Sequence, residues 1–157
     1  MRRVLIIALA LLFACRTVPK SQIQDIDVPP GLTAQQVEFA ILVSLADQPP
    51  PDDLGPGAEI TDRALKAWFG WRYQSIREAQ GDWFLEGREP GMILAGLQRR
   101  SHYLRLALHY SASQIRFEIL DSRNLDETET MIHQAAAQWI QDLEIEVRRA
   151  LGQLSTH

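Results

Sequence analysis

Large apolar side chains alternate with polar or small ones over residues 104–110 and 115–119, and this pattern constrains the fold more than any other feature of the sequence. A side-chain period of two is typical of a β-strand with one buried face. We expect residues 111–114 to form the loop of a hairpin. Three apolar pairs then share one face of the hairpin: Tyr110 with Ile115, Leu108 with Phe117, and Leu106 with Ile119. A slip of one residue would move this whole set into water, so the pattern predicts a single register.

Two further strands are predicted upstream of the hairpin, at residues 83–88 and 92–99. Pro90 and Gly91 between them suit the two central positions of a type II turn. The strand over 92–99 is apolar at positions of both faces, so we expect it to be central and at least partly covered on both sides. Together with the hairpin, these strands predict a four-stranded antiparallel meander.

Two helices are predicted before the meander. The first begins after Thr33, because Thr33 and Gln36 have the spacing of a capping box, and the prolines at 49–51 cannot continue it. The residues that follow, rich in proline and glycine, predict a surface loop. The second helix is expected to begin at Thr61 or Asp62 and to end near Gly81, with apolar residues at helical spacing.

A long helix is predicted after the meander. Asp126 and Glu129 place acidic groups at the positive end of a helix dipole, and Gly152 is a stop signal. About 25 residues at 1.5 Å each give a helix near 37 Å long. One face is apolar and carries Ile132, Ala136, Trp139, Ile140, Leu143 and Val147. The predicted fold is therefore α+β: a four-stranded antiparallel meander with two N-terminal helices and one long C-terminal helix packed on the sheet.

The N-terminus has the order of a secretory signal peptide. Arg2 and Arg3 form a short basic segment, residues 4–13 are apolar, and the small residue Ala14 precedes the single cysteine, Cys15. The apolar run is too short for a membrane-spanning helix, which needs about 20 residues. We therefore predict cleavage between Ala14 and Cys15.

The residues Leu12-Phe13-Ala14-Cys15 resemble the lipobox of bacterial lipoproteins. This resemblance implies that Cys15 becomes the mature N-terminus and carries acyl chains on its sulfur and its amine. A single chain binds a bilayer only marginally, whereas two or three give stable anchoring. Arg16 follows the cysteine, in place of the Asp that tends to retain such proteins at the inner membrane. The resemblance thus implies a lipid anchor in the outer membrane, facing the periplasm.

The predicted organisation has four parts: a signal peptide at 1–14, a lipidated tether at 15–31, a single α+β domain at 32–152 and a tail at 153–157. Fully extended, the tether would reach roughly 50 Å. Loss of Arg2 and Arg3 with the leader leaves 14 basic residues against 20 acidic ones, a net charge of about −6. Such a charge argues against nucleic acid as a partner and against a polybasic grip on anionic lipid.

The C-terminal half resembles a group of small proteobacterial lipoproteins that has no assigned activity. The matching pattern is a strand, a Pro-Gly turn, further strands, a D-S-x-N-L corner and a helix. The residues that carry it are Trp83, Pro90-Gly91, Arg100, His102, Tyr110, Asp121-Ser122, Asn124-Leu125, Ile132-His133 and Trp139-Ile140. The resemblance implies the same fold and anchoring, and it implies no activity.

No motif in the sequence indicates catalysis or a cofactor. There is no G-x-S-x-G elbow and no glycine-rich phosphate loop. The four histidines lack the spacing of a zinc motif, so we predict no metal site, although His102 and His133 could meet in space. Three polar residues, Asp121, Ser122 and Asn124, are predicted to fix the corner after the last strand by bonding nearby backbone N–H groups.

These observations favour a non-enzymatic interaction or assembly module of the cell envelope. Its partners would be the membrane, through the acyl chains, and an unidentified envelope protein. The hairpin places four charged or titratable residues on the face opposite the apolar pairs, and this is the candidate interaction surface: Arg105, His109, Arg116 and Glu118. The proline-rich loop at 48–57 is a second candidate surface.

Two other functions stay open. A small-molecule or lipid binder would use a pocket between the long helix and the sheet near Trp68, Phe69 and Trp139, although Trp68 and Phe69 fit a core position better. Trp71 lies off the apolar stripe and is expected to be half exposed. An envelope hydrolase would use Ser122 and His133, which must then lie within hydrogen-bond reach of each other.

Overall fold

A computed structural model describes residues 16–74 and 81–156 of the chain. The described residues form an α+β fold with three α-helices, a five-stranded antiparallel sheet and a separate two-stranded antiparallel ribbon. The helices are α1 (Ala34–Ala46), α2 (Asp62–Phe69) and α3 (Gln134–Ser155). The strands are β1 (Thr17–Pro19), β2 (Ile26–Asp27), β3 (Trp83–Glu89), β4 (Met92–Arg99), β5 (His102–Tyr110), β6 (Gln114–Asp121) and β7 (Met131–His133).

The hairpin of β5 and β6 has the register that the alternation predicts. Tyr110 is opposite Ile115, Leu108 is opposite Phe117, and Leu106 is opposite Ile119. The sheet order is β2-β6-β5-β4-β3, so β4 lies between two neighbours, as its apolar composition indicates. The α+β class is confirmed, and β3 to β6 pair antiparallel in chain order, with their apolar face against the core.

The sheet has five strands rather than the four predicted, and the fifth comes from the expected tether. Within residues 15–31, β2 pairs with β6 and places Ile26, which is fully buried, opposite Ile115. Earlier still, β1 pairs with β7 to form the ribbon. Strands of two and three residues are too short to show a side-chain period, so the pattern that revealed the hairpin could not reveal them. The folded part of the chain thus begins before residue 32.

The first two helices begin where the sequence predicts. Thr33 caps α1 through a complete capping box with Gln36, and α1 ends at Asp47, whose left-handed conformation has a φ of 48°. Helix α2 begins after Thr61 but ends at Phe69, because Gly70 leaves the helical conformation with a φ of 54°. The prediction that α2 reaches Gly81 is therefore wrong, and its last predicted turn, at 75–80, lies outside the described residues.

The long C-terminal helix is confirmed, but it starts eight residues later than expected. His133 is its N-cap and accepts a hydrogen bond from the Ala135 amide at Nδ1, at 3.1 Å. The acidic residues assigned to the first turn lie instead in the loop before β7, where Glu127 pairs with Lys20 and accepts a hydrogen bond from Ser122. Pairing with β1 holds residues 131–133 extended, so tertiary contacts override the local helix signal.

The helices pack on one face of the sheet. Buried residues of α1, α2 and α3 form a single cluster with the inward side chains of β3 to β6. Trp68 and Phe69 belong to this cluster, and Trp71 is 48% exposed, as the helical pattern predicts. No helix in the described part of the chain has both the length and the apolar composition needed to cross a bilayer.

Candidate interaction surface

The face of the sheet that points away from the helices is called the outer face here. Because side chains alternate along each strand, the register assigns the residues opposite the apolar set to it. Its principal side chains are Phe84, Glu86, Tyr103, Arg105, His109, Arg116 and Glu118. The four residues predicted as an interaction surface all lie on this face, and among the described residues no helix covers it.

An aromatic pair forms a small second cluster on the outer face. Phe84 and Tyr103 are both buried, and their rings stack at 18° with centroids 6.5 Å apart. The Phe84 ring lies directly over Gly96 of the adjacent strand, where a Cβ would overlap the ring. The absence of a side chain at Gly96 therefore allows the aromatic pair to lie flat on the sheet.

Glu86 connects this pair to the charged part of the outer face. Its carboxylate accepts a hydrogen bond from the Tyr103 hydroxyl at 2.9 Å and forms an ion pair with Arg105. Burial and then this hydrogen bond raise the pKa of Tyr103 to about 12. The same carboxylate raises the pKa of Arg105 through its hydrogen bond. Arg105 is thus held in place rather than free to meet a partner.

Arg123 also packs on the Tyr103 ring. Its guanidinium carbon lies 4.3 Å from the ring centroid, which is within the range of a cation–π contact, and its Nε is 3.0 Å from the Asp121 carboxylate. A shallow cavity of about 230 Å³ opens beside these groups. It is lined by Gln74, Phe84, Glu86, Tyr103 and Arg123. The site thus offers an aromatic edge, a guanidinium and a carboxylate within one small area.

The remaining predicted residues lie nearer the hairpin turn. His109 Nε2 is 2.6 Å from Glu118 Oε2, a diagonal contact between β5 and β6. Arg116 is exposed, and no ion pair to it is formed within residues 16–74 and 81–156. Of the four residues, Arg116 is therefore the one that presents an uncommitted charge to an approaching partner.

Sequence reasoning missed Phe84, Glu86, Tyr103 and Arg123. Phe84 and Tyr103 occupy positions that the alternation assigns to the solvent side, so they were not recognised as a buried pair. One signal was available: Gly96 interrupts an otherwise apolar strand, and such a glycine often marks the close approach of another group.

The predicted corner residues stabilise the turn after β6, but through other bonds than expected. Ser122 donates to the Glu127 side chain, and Asp121 pairs with Arg123. Asn124 adopts a left-handed conformation and donates from its side chain to the Ser101 carbonyl, in the turn between β4 and β5. The corner is thus joined to a neighbouring turn rather than to its own backbone N–H groups.

His102 and His133 do meet, with ring centroids 6.1 Å apart. No set of three or more His, Cys, Asp or Glu side chains with the geometry of a metal site occurs in the described part of the chain. Ser122 and His133 form hydrogen bonds with other partners, the Glu127 carboxylate and the Ala135 amide. Cys15 and Ala14 lie outside the described residues.

An open cleft lies between the long helix and the sheet, but not where the sequence predicted it. Trp68, Phe69 and Trp139 are buried in the core. The cleft, of about 360 Å³, lies at the edge of the sheet against α1 and α3. Its lining includes Leu45, Asp47, Asp82, Trp83, Arg99, Asp142 and Glu146. A second cavity, of about 380 Å³, lies beside an ion pair of the nearly buried Glu38 with the half-buried Arg88, whose nearest N–O distance is 2.6 Å.

Comparison with known proteins gives no relative. No protein-family model, curated protein sequence or solved structure matches this chain significantly. The resemblance to proteobacterial lipoproteins accordingly stays a prediction that depends on the residues quoted for it.

Proposed function

We propose that this protein is a lipid-anchored, non-enzymatic interaction module of the bacterial cell envelope. Acyl chains on Cys15 hold it in the outer membrane facing the periplasm, and the outer face of its sheet binds an envelope protein. The order of basic residues, apolar run, small residue and cysteine at the N-terminus supports the anchor. Within residues 16–74 and 81–156 no helix packs on the outer face, and this supports the binding role.

The observation that carries the proposal is the construction of the outer face. An antiparallel sheet commonly leaves one face in water, and such a face needs no buried aromatic residues. Here Phe84 and Tyr103 are buried side by side on it, held by Gly96 and Glu86, with an arginine on the ring. Arginine is enriched in protein–protein interfaces, and the exposed Arg123 is positioned on this buried aromatic pair.

The anchor is tested by intact mass spectrometry of the protein purified from its native host. We expect a chain that begins at Cys15 and carries two or three fatty acids. A chain that retains residues 1–14, or that begins at Cys15 without lipid, would remove the anchor from the proposal.

The surface is tested with Arg116→Glu, which reverses the uncommitted charge on the outer face. Arg63→Glu is the matched control, because Arg63 is also exposed but lies on α2. We expect Arg116→Glu to lose cross-links to the partner in envelopes while Arg63→Glu keeps them. If the two variants give the same cross-linked species as the wild type, the outer face near Arg116 is not the binding surface.

A second function, binding of a small molecule or lipid, is favoured by the cleft against α1 and α3. Its volume of about 360 Å³ falls at the lower end of the range of ligand pockets. Trp83 and Leu143 line it, so an occupant would change the tryptophan emission. Titration of a lysophospholipid into the wild type and into Ser44→Trp, which would fill the cleft, distinguishes specific occupancy from general surface adsorption.

A further inference from the structure

The chain is fixed to the domain from the first described residue. The Arg16 carbonyl accepts a hydrogen bond from the Gln134 amide at 2.6 Å, at the start of α3. Thr17 then pairs with His133 in the ribbon, and the Lys20 amide donates to the Thr130 carbonyl at 2.9 Å. Val18 and Ile23 pack against the core. Residues 16–20 are therefore part of the fold.

This attachment removes the spacer that would separate the domain from a membrane. Cys15 precedes Arg16 directly, and adjacent Cα atoms are about 3.8 Å apart. Acyl chains on the Cys15 sulfur and amine must enter the hydrocarbon layer, so Arg16 lies at the depth of the lipid headgroups. The end of the domain that carries Arg16 then lies against the bilayer.

A basic turn shares this end with Arg16. His102 follows the turn between β4 and β5, and its ring lies 6.1 Å from that of His133, the partner of Thr17 in the ribbon. Arg99 and Arg100 in the turn are both exposed. The Arg99 guanidinium lies over the Trp139 ring, 5.4 Å from its centroid. The turn thus presents two guanidinium groups beside the point of attachment.

Of the acidic groups in this region, two are paired, two lie farther along the ribbon, and Asp82 and Asp142 line the cleft that Arg99 also lines. Asp121 pairs with Arg123, and Glu127 pairs with Lys20. Asp126 and Glu129 are exposed in the loop before β7, at the Lys20 end of the ribbon. At about 3.3 Å per residue, that end is at least roughly 10 Å from Arg16. Arg16 and Arg100 form no ion pair within residues 16–74 and 81–156, so the unpaired charges that accompany the attachment point and the turn are positive.

We propose that the domain lies directly on the bilayer, with Arg16 and the turn at 99–102 in contact with lipid phosphate groups. This inference depends on acylation of Cys15, the anchor of the proposed function. It also fixes an orientation. β5 leads away from this turn for nine residues, so the hairpin loop at 111–114 lies about 30 Å from the turn that contacts the lipid.

The orientation is tested with the acylated full-length protein in vesicles of phosphatidylethanolamine and phosphatidylglycerol. Because the only native thiol is acylated, Ser101→Cys and Ala112→Cys each provide a unique site for a fluorophore. Both positions are exposed, and they lie in turns at opposite ends of β5. We expect a nitroxide on the lipid headgroup to quench the label at position 101 several-fold more than the label at 112.

The outcomes separate the two proposals. If mass spectrometry finds no fatty acid and the protein does not sediment with vesicles, the anchor itself fails. If the protein is acylated and sediments but the two labels are quenched equally, or position 112 more strongly, the anchor stands and the orientation is overturned. Arg100→Asn, which keeps a residue that tolerates the left-handed φ of 56°, should reduce the difference between the labels. Arg63→Glu should leave it unchanged, and equal effects would contradict a phosphate contact at the turn.

Discussion

At the scale of single residues, the packing of the aromatic pair on the outer face depends on a glycine, Gly96. Gly96 has an ordinary extended conformation, yet a Cβ there would overlap the Phe84 ring. Gly96→Ala therefore forces the ring off the strand and disturbs its stacking on Tyr103. Overpacking of this kind typically costs about 1–3 kcal/mol. We expect urea unfolding to show a loss of that size.

The neighbouring strand supplies a matched control for this substitution. Gly87 in β3 also has an ordinary conformation, and a Cβ there would meet nothing within 4 Å. Gly87→Ala should be neutral or slightly stabilising, because alanine has less freedom to lose on folding than glycine. Equal losses in the two variants would show that Phe84 does not rest on Gly96.

Tyrosine ionisation reports on the same cluster. The sequence contains three tyrosines, and all have raised pKa values: burial raises the pKa of Tyr103 and of Tyr110 to about 12, and raises that of Tyr73. Unfolded tyrosines ionise near pH 10. The folded state therefore favours the neutral form of these tyrosines. Their contribution to the free energy of unfolding is complete below about pH 10 and is lost as the pH rises from there toward 12.

An alkaline titration followed by tyrosinate absorbance measures this directly. We expect little ionisation at pH 10 in the folded protein and the ordinary titration in urea. Tyr103→Phe should remove one of the two late-titrating groups. Full ionisation near pH 10, with circular dichroism still native, would contradict the burial and the Glu86 hydrogen bond that raise the pKa of Tyr103.

At the scale of elements, the sequence predicts the helices and strands that have a clear local residue pattern. The hairpin register follows from five consecutive cross-strand pairs, from Leu106–Ile119 to Tyr110–Ile115, and the start of α1 follows from the Thr33 capping box. The strands β1, β2 and β7 have two or three residues each, and their partners are about 90 to 115 positions away in the chain. No short stretch of the sequence contains both strands of such a pair. The sequence therefore predicts a tether where the structure has β1 and β2.

The same reasoning explains what was missed in the candidate surface. Arg105, His109, Arg116 and Glu118 follow from the register of one hairpin. The aromatic pair needs three strands to be aligned at once, because Phe84 of β3 must reach across Gly96 of β4 to Tyr103 of β5. Pairwise alternation assigns both aromatics to water, and only the assembled sheet shows that they cover each other.

Amide hydrogen exchange distinguishes an integrated segment from a tether. The amides of Lys20 and Gln134 form the backbone hydrogen bonds that close the ribbon. If opening the ribbon costs about 2–3 kcal/mol, both amides should exchange roughly 30- to 140-fold slower than unprotected ones. Asp52 and Asp53, exposed in the proline-rich loop, serve as controls and should exchange freely. Unprotected exchange of the Lys20 amide would show that this segment is a flexible tether and not part of the fold.

At the scale of the whole molecule, the proposed anchor and the proposed binding surface lie at different parts of one fold. The ribbon joins the first described residues to the start of α3, and α3 packs across the core beneath the sheet. The outer face lies on the other side of that sheet. If Cys15 is acylated as proposed, β1, β7 and the core connect the anchor to the outer face without a flexible spacer between Arg16 and the fold.

The net charge of the chain indicates that the proposed acyl chains and the basic turn would contribute differently to membrane binding. Without the leader, the chain has 14 basic residues and 20 acidic ones, a net charge of about −6. An anionic bilayer repels such a domain as a whole, even though each arginine close to its surface contributes about 1 kcal/mol of attraction. Two guanidinium groups at the turn can orient a domain that is already anchored, but they cannot retain a free one.

The chain from Arg16 to His157, which lacks the cysteine, should therefore stay in the supernatant when vesicles containing phosphatidylglycerol are sedimented at physiological salt. The acylated protein should sediment fully, because two or three chains anchor stably where one gives only marginal binding. Raising the salt should leave the acylated protein bound, since screening weakens surface charge contacts and not the burial of acyl chains. Salt-sensitive sedimentation of the unacylated chain would instead show that a charged surface retains the domain, and the lipid would not be the principal anchor.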